Sequence, residues 1–173
     1  MSINVIAAKP VDLAPTAYGG IPVSFARVAD TTAYLANDVV GEATTISAAL
    51  EFKNMAPAGG GRIMITSHSL EIDATAVISG QTSYRLYLYS SPPPSRLADN
   101  AAFDLAAADR PLFLGYVDLG SPVDIGSTLY VQTDGVNRQI KTTGSSVWGY
   151  LVTIGAHTPA SATVHVVTLH SIR

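Results

Sequence analysis

The chain has 173 residues, which at ~100–200 residues per domain is one domain with enough length for a hydrophobic core. Hydrophobic residues make up 47% but charged residues only 13%, about half the ~25% usual in soluble domains, and 24 Ala, 16 Ser, 16 Thr and 14 Gly fill the difference. Ten basic and thirteen acidic residues, with no block of either sign, exclude the basic stripe of a nucleic-acid binder, and the absence of cysteine excludes thiolate metal sites, disulfides and cysteine nucleophiles.

Met1–Pro10 carries its one lysine after the apolar residues, the reverse of a signal peptide. Residues 1–20 combine Pro10, Pro15, Gly19 and Gly20 with Ile3, Val5, Ile6, Val11 and Leu13, which is more aliphatic than a disordered tail. They read as an extended arm that gains order on a sheet or a neighbouring subunit, with Ile3, Val5, Ile6, Val11, Leu13 and Tyr18 as its partner-binding residues. A frayed terminus is the alternative reading.

Residues 21–173 read as a single all-β domain, an antiparallel β-sandwich of jelly-roll type. Short runs rich in Val, Ile, Leu, Thr and Tyr alternate with Gly, Pro, Asn, Asp and Ser clusters, which predicts strands near 22–28, 45–53, 62–73, 83–90, 112–118, 128–133, 138–143, 147–155 and 162–172. Within Arg62–Asp73 the apolar phase changes from Ile63 and Ile65 to Leu70 and Ile72, so a bulge or a crossover between sheets is expected near Ser67–Ser69. In Ser83–Ser90, Tyr84, Leu86 and Leu88 are placed inward. Asp99 is a good N-cap for the alanine-rich Asn100–Ala108, predicting one short helix near 100–108 that Pro111 cannot continue. LYVQT and RQIKT flank DGVN, predicting a hairpin at Asp134-Gly135. Val147–Gly155 and Ala162–Ile172 are apolar on both faces and belong in the middle of the fold or at a subunit interface. They lie in the run Thr142–Ile172, which has no Asp, Glu, Lys or Arg but is too punctuated by polar residues and glycine to span a membrane.

Candidate chemistry dissolves on inspection. His165 and His170 are five apart and face opposite sides of one strand, so they cannot share a metal, and His68 and His157 could meet only through tertiary contacts. Asp99, Asp104 and Asp109 turn about 140° per step on a helix and do not converge; the expected roles are a cap for Asp99 and solvation for Asp104. Gly144–Gly149 lacks the G-x-S-x-G spacing of a nucleophile elbow, and no Lys-Ser/Thr follows Gly59–Gly61, which reads as a turn into the next strand. Asp118, Asp124 and Asp134 are unspecific candidates for glycosidase carboxylates. Tyr84, Tyr87, Tyr89, Tyr116, Tyr130, Trp148 and Tyr150 could stack sugars, but they fall where strand propensity puts them. No catalytic residue, metal or cofactor is expected.

In chain order, Tyr34–Gly41 (YLANDVVG), Phe52-Lys53-Asn54, Gly59–Gly61, Leu86–Tyr89 before a proline-containing loop, Asp99–Asp104 (DNAAFD), Gly115-Tyr116-Val117, Ser146–Val152 (SVWGYLV) and Thr158-Pro159 follow one another with characteristic spacing. Their order resembles a family of small virion proteins of tailed bacteriophages that act as capsid decoration (cement) or other head structural proteins. The likeness covers roughly Tyr34 to Leu169 and leaves the arm unmatched. It implies a non-enzymatic structural protein on the capsid exterior, made in the bacterial host cytoplasm. It also implies the major capsid protein and copies of itself as partners, a trimer being the expectation from capsid symmetry, and neither nucleic acid nor membrane. The alternatives are a tail, baseplate or fibre-anchoring virion module and a carbohydrate-binding β-sandwich.

Overall fold

A computed structural model describes residues 17–19, 22–44 and 46–173. The chain forms β1 (Ala17–Gly19), β2 (Val23–Ala26), β3 (Val39–Val40), β4 (Leu50–Phe52), β5 (Gly61–Ile72), β6 (Tyr84–Tyr89), β7 (Phe113–Gly120), β8 (Val123–Asp124), β9 (Leu129–Thr142), β10 (Val147–Thr153) and β11 (Val164–Ile172), with one 3-10 turn at Arg110–Leu112. All pairings are antiparallel: β2 with β11, β3 and β4 with β10, β5 with β9, and β6 with β7.

These pairs fall alternately into two sheets. The first runs β2-β11-β5-β9, with β1 continuing the line of β2 along β11 and β8 added at the far edge. The second runs β3-β10-β6-β7, with β4 beside β3 along β10. A long antiparallel ribbon rolled so that successive pairs alternate between sheets is a jelly roll. The expected sandwich of this type is therefore the fold.

Alternation along each strand decides which side chains enter the core. Tyr84, Leu86 and Leu88 of β6 point inward as expected, meeting Val117 and Leu119 of β7 and Leu151 of β10 between the sheets. Val167 and Leu169 of β11 close the core from the first sheet. β10 and β11, the doubly apolar strands, are both internal to their sheets.

The phase change in β5 is a bulge at Thr66: Ile65 opposes Ser171 while Ser67 opposes His170, one step on β11 against two on β5. Ile63 and Ile65 before it, and His68, Leu70 and Ile72 after it, are thereby all buried. It lies one residue ahead of the expected stretch.

Two local expectations are overturned. The hairpin at Asp134-Gly135 does not form, because both of its predicted arms pair with the same long strand: Leu129–Asp134 lies along Ile72–Ser67, and Arg138–Thr142 along Ile65–Gly61. The residues between bulge out of one continuous β9, with Gly135 at φ 69° and Asn137 at φ 50°. The backbone freedom read from DGVN is used there, to lengthen a strand instead of reversing it.

The helix near 100–108 is also absent. Asn100 sits at φ 60°, which no right-handed helix accepts, and Asp99 is not an N-cap but a buried partner of other residues. The amide of Asn100 donates to the Val39 carbonyl and that of Phe103 to Asn37, so the segment lies alongside Asp38–Val40 as an irregular extended strip. Two helical turns are marginal on their own, and tertiary burial of Phe103 and Leu105 outweighs the propensity of alanine. Only the turn around Pro111 winds, in 3-10 form.

Candidate functional site

Three features of the jelly roll could carry function: a buried polar cluster at one end, the outer face of the second sheet, and the outer face of the first.

The buried cluster centres on Arg27, Tyr34 and Asp99. The Tyr34 hydroxyl donates to Asp99 Oδ1 at 2.6 Å and accepts from Arg27 Nε at 3.0 Å, while the Gly41 amide donates to the same Asp99 oxygen at 2.8 Å. Arg27 also donates to the Asp30 carboxylate and to the carbonyls of Asp30 and Ala160. Burial works against its charge, but the oxygens of Tyr34, Asp30 and Asp99 outweigh that and hold the guanidinium above the usual arginine range. The Tyr34 phenol is driven far above its ordinary value by burial and by the Asp99 carboxylate.

Beside this cluster, His157 and His165 flank Tyr84 at ring-centroid distances of 6.3 and 6.4 Å, and the shared cavity is only about 10 Å³. That space holds at most about one water. The Arg27 guanidinium and the Tyr34 hydroxyl are hydrogen-bonded, and Asp99 accepts twice at Oδ1 while its Oδ2 faces Arg27 at 3.9 Å. The cluster ties the loops at 27–41 and 97–103 to the sandwich.

Other chemical candidates are likewise engaged. Ser146 Oγ donates to Glu51 at 2.8 Å, and Asp109 accepts from the amide and hydroxyl of Ser95. His165 is buried while His170 is exposed, on opposite faces as expected. Among the described residues no group of three or more His, Asp or Glu is placed to hold a metal.

Much of the outer face of the second sheet is covered by the chain itself, with Tyr116 and Asp118 of β7 left exposed. Val39, Tyr89, Tyr150 and Val152 point away from the main core yet are 0% exposed. Leu97, Phe103, Leu105, Leu112 and Phe113 pack over them as a second apolar layer. Phe103 stacks on Tyr87 at 3.8 Å between centroids, and the Tyr150 hydroxyl accepts from the Leu97 amide. The segment expected as a short helix is thus a non-helical lid across a sheet face. Phe103→Ala is expected to cost about 2 kcal/mol, below the ~3–5 of a fully buried Phe because one side of the ring meets solvent. Hydrogen exchange should then accelerate at the Asn100 and Phe103 amides ahead of the sandwich strands.

The lid also limits sugar stacking. Tyr84, Tyr89 and Tyr150 are fully buried, Tyr87 and Trp148 pack into the second layer, and Tyr116 lies under the Arg85 guanidinium at 4.2 Å. Tyr130 is half-buried and donates to Gln132. The seven aromatics do not assemble into one platform.

The outer face of the first sheet is different. Its outward positions are Ser24 and Ala26 of β2, Val164, Val166, Thr168, His170 and Ile172 of β11, Arg62, Met64, Ser67, Ser69 and Glu71 of β5, and Tyr130, Gln132, Asp134, Gln139 and Lys141 of β9. All but Thr168 keep solvent exposure. Small side chains fill its middle, on β2, β11 and β5, and Gln132 ties Tyr130 to Asp134 in a hydrogen-bonded row along β9. Among the described residues no lid crosses this face.

No protein-family model matches the chain, and no curated protein matches it. Among solved structures it is similar to the capsid of Ralstonia phage GP4, at 13% identity and a TM-score of 0.42, over 96% of this chain and 88% of that one. It is also similar to the capsid asymmetric unit of cyanophage Pam1, at 14% identity and a TM-score of 0.37, over 96% and 91% of the two chains. A third likeness, at 10% identity and a TM-score of 0.31, is to the C-terminal CBM6 of LamC, a laminarinase from Zobellia galactanivorans, over 85% of this chain and 98% of that one. The jelly-roll assignment rests on the strand order itself.

Of the residues expected to bind a partner, Ile3, Val5, Ile6, Val11 and Leu13 lie outside the described residues. The backbone of Tyr18 pairs with Ser171 in β1, at the end of β11. Of the first-sheet face, sequence reading singled out only Ala162–Ile172, as central or interfacial, and missed the part carried by β5. Its signal was present in the alternation of Ser67, Ser69 and Glu71 with His68, Leu70 and Ile72, which marks a strand with one small, polar side.

Proposed function

We propose that this protein is a structural component of a tailed-phage virion, decorating and stabilising the outside of the capsid by packing against neighbouring subunits. The observation that carries this reading is the asymmetry of the sandwich. One sheet is largely covered by its own lid, and the other presents, among the described residues, an uncovered face whose middle is mostly Ser, Thr, Ala and Val, with its long charged side chains toward the ends and the β9 edge. Such a face loses little side-chain entropy and desolvates few charges when covered. Binding of that kind stabilises an assembled shell by mass action without a cofactor. The spaced motifs from Tyr34 to Leu169 point the same way.

In this reading residues 1–20 act as an arm, anchored through β1 on β11 and reaching a neighbouring subunit with the residues before it, and residues 21–173 form the rest of the sandwich that sits on the shell. The major capsid protein and further copies of the chain are the proposed partners.

The test is reconstitution. Particles lacking this protein should rupture at a lower temperature than complete particles, and purified protein added to assembled shells should restore the loss. Removing Met1–Gly20 should leave the sandwich folded but weaken attachment. Finding the chain only in tails, or finding no protection on adding it back, counts against the capsid reading; unchanged attachment of the shortened chain counts against the arm.

A further inference from the structure

The first sheet is electrically polarised from end to end. At one end, Arg62 of β5 is the direct cross-strand neighbour of Lys141 of β9. Arg62, Ile172 and Arg173 line a concavity of about 220 Å³, and Arg62 and Lys141 line a second of about 190 Å³ beside it. Arg62, Lys141 and Arg173 are all exposed, and none has an ion-pair partner among the described residues. Like charges directly opposite on a sheet are destabilising, so a strand pair that carries them uncompensated has an unmet need for negative charge.

At the other end of the same strands the sign reverses. Glu71 ends the outward row of β5, Asp73 follows it, and Asp124 lies on β8. None of these carboxylates is ion-paired among the described residues. The cation of that neighbourhood, Arg27, has a fully buried side chain engaged with Asp30 and Asp99. Arg62 and Glu71 are nine residues apart on β5, roughly 30 Å at ~3.3 Å per residue. Both ends also carry apolar surface: half-buried Met64 and Ile172 at the basic end, and Val123 and Ile125, 58% and 63% exposed, at the acidic end.

We infer that copies of this chain associate head to tail, the Arg62–Lys141–Arg173 end of one first sheet docking on the Glu71–Asp73–Asp124 end of the next. The complement of each end is present on the molecule itself, which favours a second copy over an unrelated acidic partner. Such a contact is heterologous and generates a ring or a row of subunits. It uses the ends of the sheet whose face is proposed above to meet the shell, and either contact can fail alone.

Sedimentation velocity of the purified full chain tests it, apart from any particle assay. At about 0.05 M salt the mean mass should rise with concentration, and the dissociation constant should increase at least ~tenfold by about 0.5 M as screening shortens. Arg62→Glu with Lys141→Glu makes both ends acidic, and Glu71→Lys with Asp73→Lys makes both basic. Each variant alone should stay monomeric, and their equimolar mixture should associate. A wild-type chain monomeric at every salt concentration overturns the inference, as does association insensitive to salt or retained by either variant alone. Heparin binding by a monomeric wild-type chain, lost in Arg62→Glu with Lys141→Glu, would overturn it in favour of a polyanion at the basic end.

Discussion

Arg27→Ala is expected to destabilise the fold by about 3–5 kcal/mol, the range for removing one partner of a buried charge pair. The Arg27 side chain is 0% exposed, and that of Asp99 only 2%. Truncating the arginine leaves Asp99 in the interior without its cation, 3.9 Å away in the native protein. The carbonyls of Asp30 and Ala160 and the Tyr34 oxygen lose their donors in the same step. Asp99 retains the Gly41 amide and the Tyr34 hydroxyl, which does not compensate a desolvated negative charge. Tyr34→Phe removes one neutral partner and should cost less, about 1–2 kcal/mol. Urea denaturation gives both numbers, and an Arg27→Ala cost under about 1 kcal/mol would mean that the cluster does not hold the loops.

The second large effect is acid lability. His165 is 3% exposed, stacked on Phe25 at 5.3 Å between centroids, and its Nδ1 lies 3.3 Å from the Thr163 carbonyl. Burial pushes its pKa down from 6.5 to about 4, and burial likewise lowers those of His68 and His157. The native protein keeps these rings neutral, while the unfolded chain protonates them below about 6.5. Above that pH the stability is fully present. Between about 6.5 and 4 the unfolded state binds more protons than the native state, so stability falls as the pH falls, by about 3 kcal/mol from His165 alone. Thermal melts at pH 7 and pH 4.5 should therefore differ strongly. His165→Phe, which keeps a ring on Phe25 but cannot titrate, should show a flatter pH dependence whatever its stability at pH 7. An unchanged slope in that variant would move the effect to other groups.

His68 belongs to the same account for a different reason. It enters the core because the bulge at Thr66 switches the phase of β5, and its Nδ1 has no partner among the described residues. The price of a long strand apolar on alternate faces is a polar ring left under-satisfied beneath the sheet. The phase switch was readable from Ile63, Ile65, Leu70 and Ile72; that it would bury a histidine without a partner was not, since the partner depends on what β11 and β9 bring opposite.

Strand positions and core faces were legible because they follow from local patterning. A period of two with β-branched and aromatic residues marks a strand with a buried side whatever its neighbours are. Short partners such as β3 and β8, two residues each, carry too little pattern to be seen. The lid and the continuous β9 were misread for one physical reason. Alanine at 100–108 and DGVN at 134–137 express local preferences worth at most about 1 kcal/mol per residue, and tertiary contacts outvote them. Phe103 finds Tyr87, and both halves of β9 find β5.

The sequence by itself determined the class of the protein: low charge without cysteine, strands of alternating polarity, and two strands apolar on both sides. Those properties belong to residues and their near neighbours. The tertiary structure alone decided that the strands pair as a rolled ribbon, that Asp99 is buried beside Arg27 instead of capping a helix, and that one sheet is largely covered by a lid while the other is not. It also brought Arg62 beside Lys141, 79 positions apart in the chain, on a surface the low charge content did not foreshadow. Those outcomes depend on which strands become neighbours, and long-range pairing is not encoded in any local period.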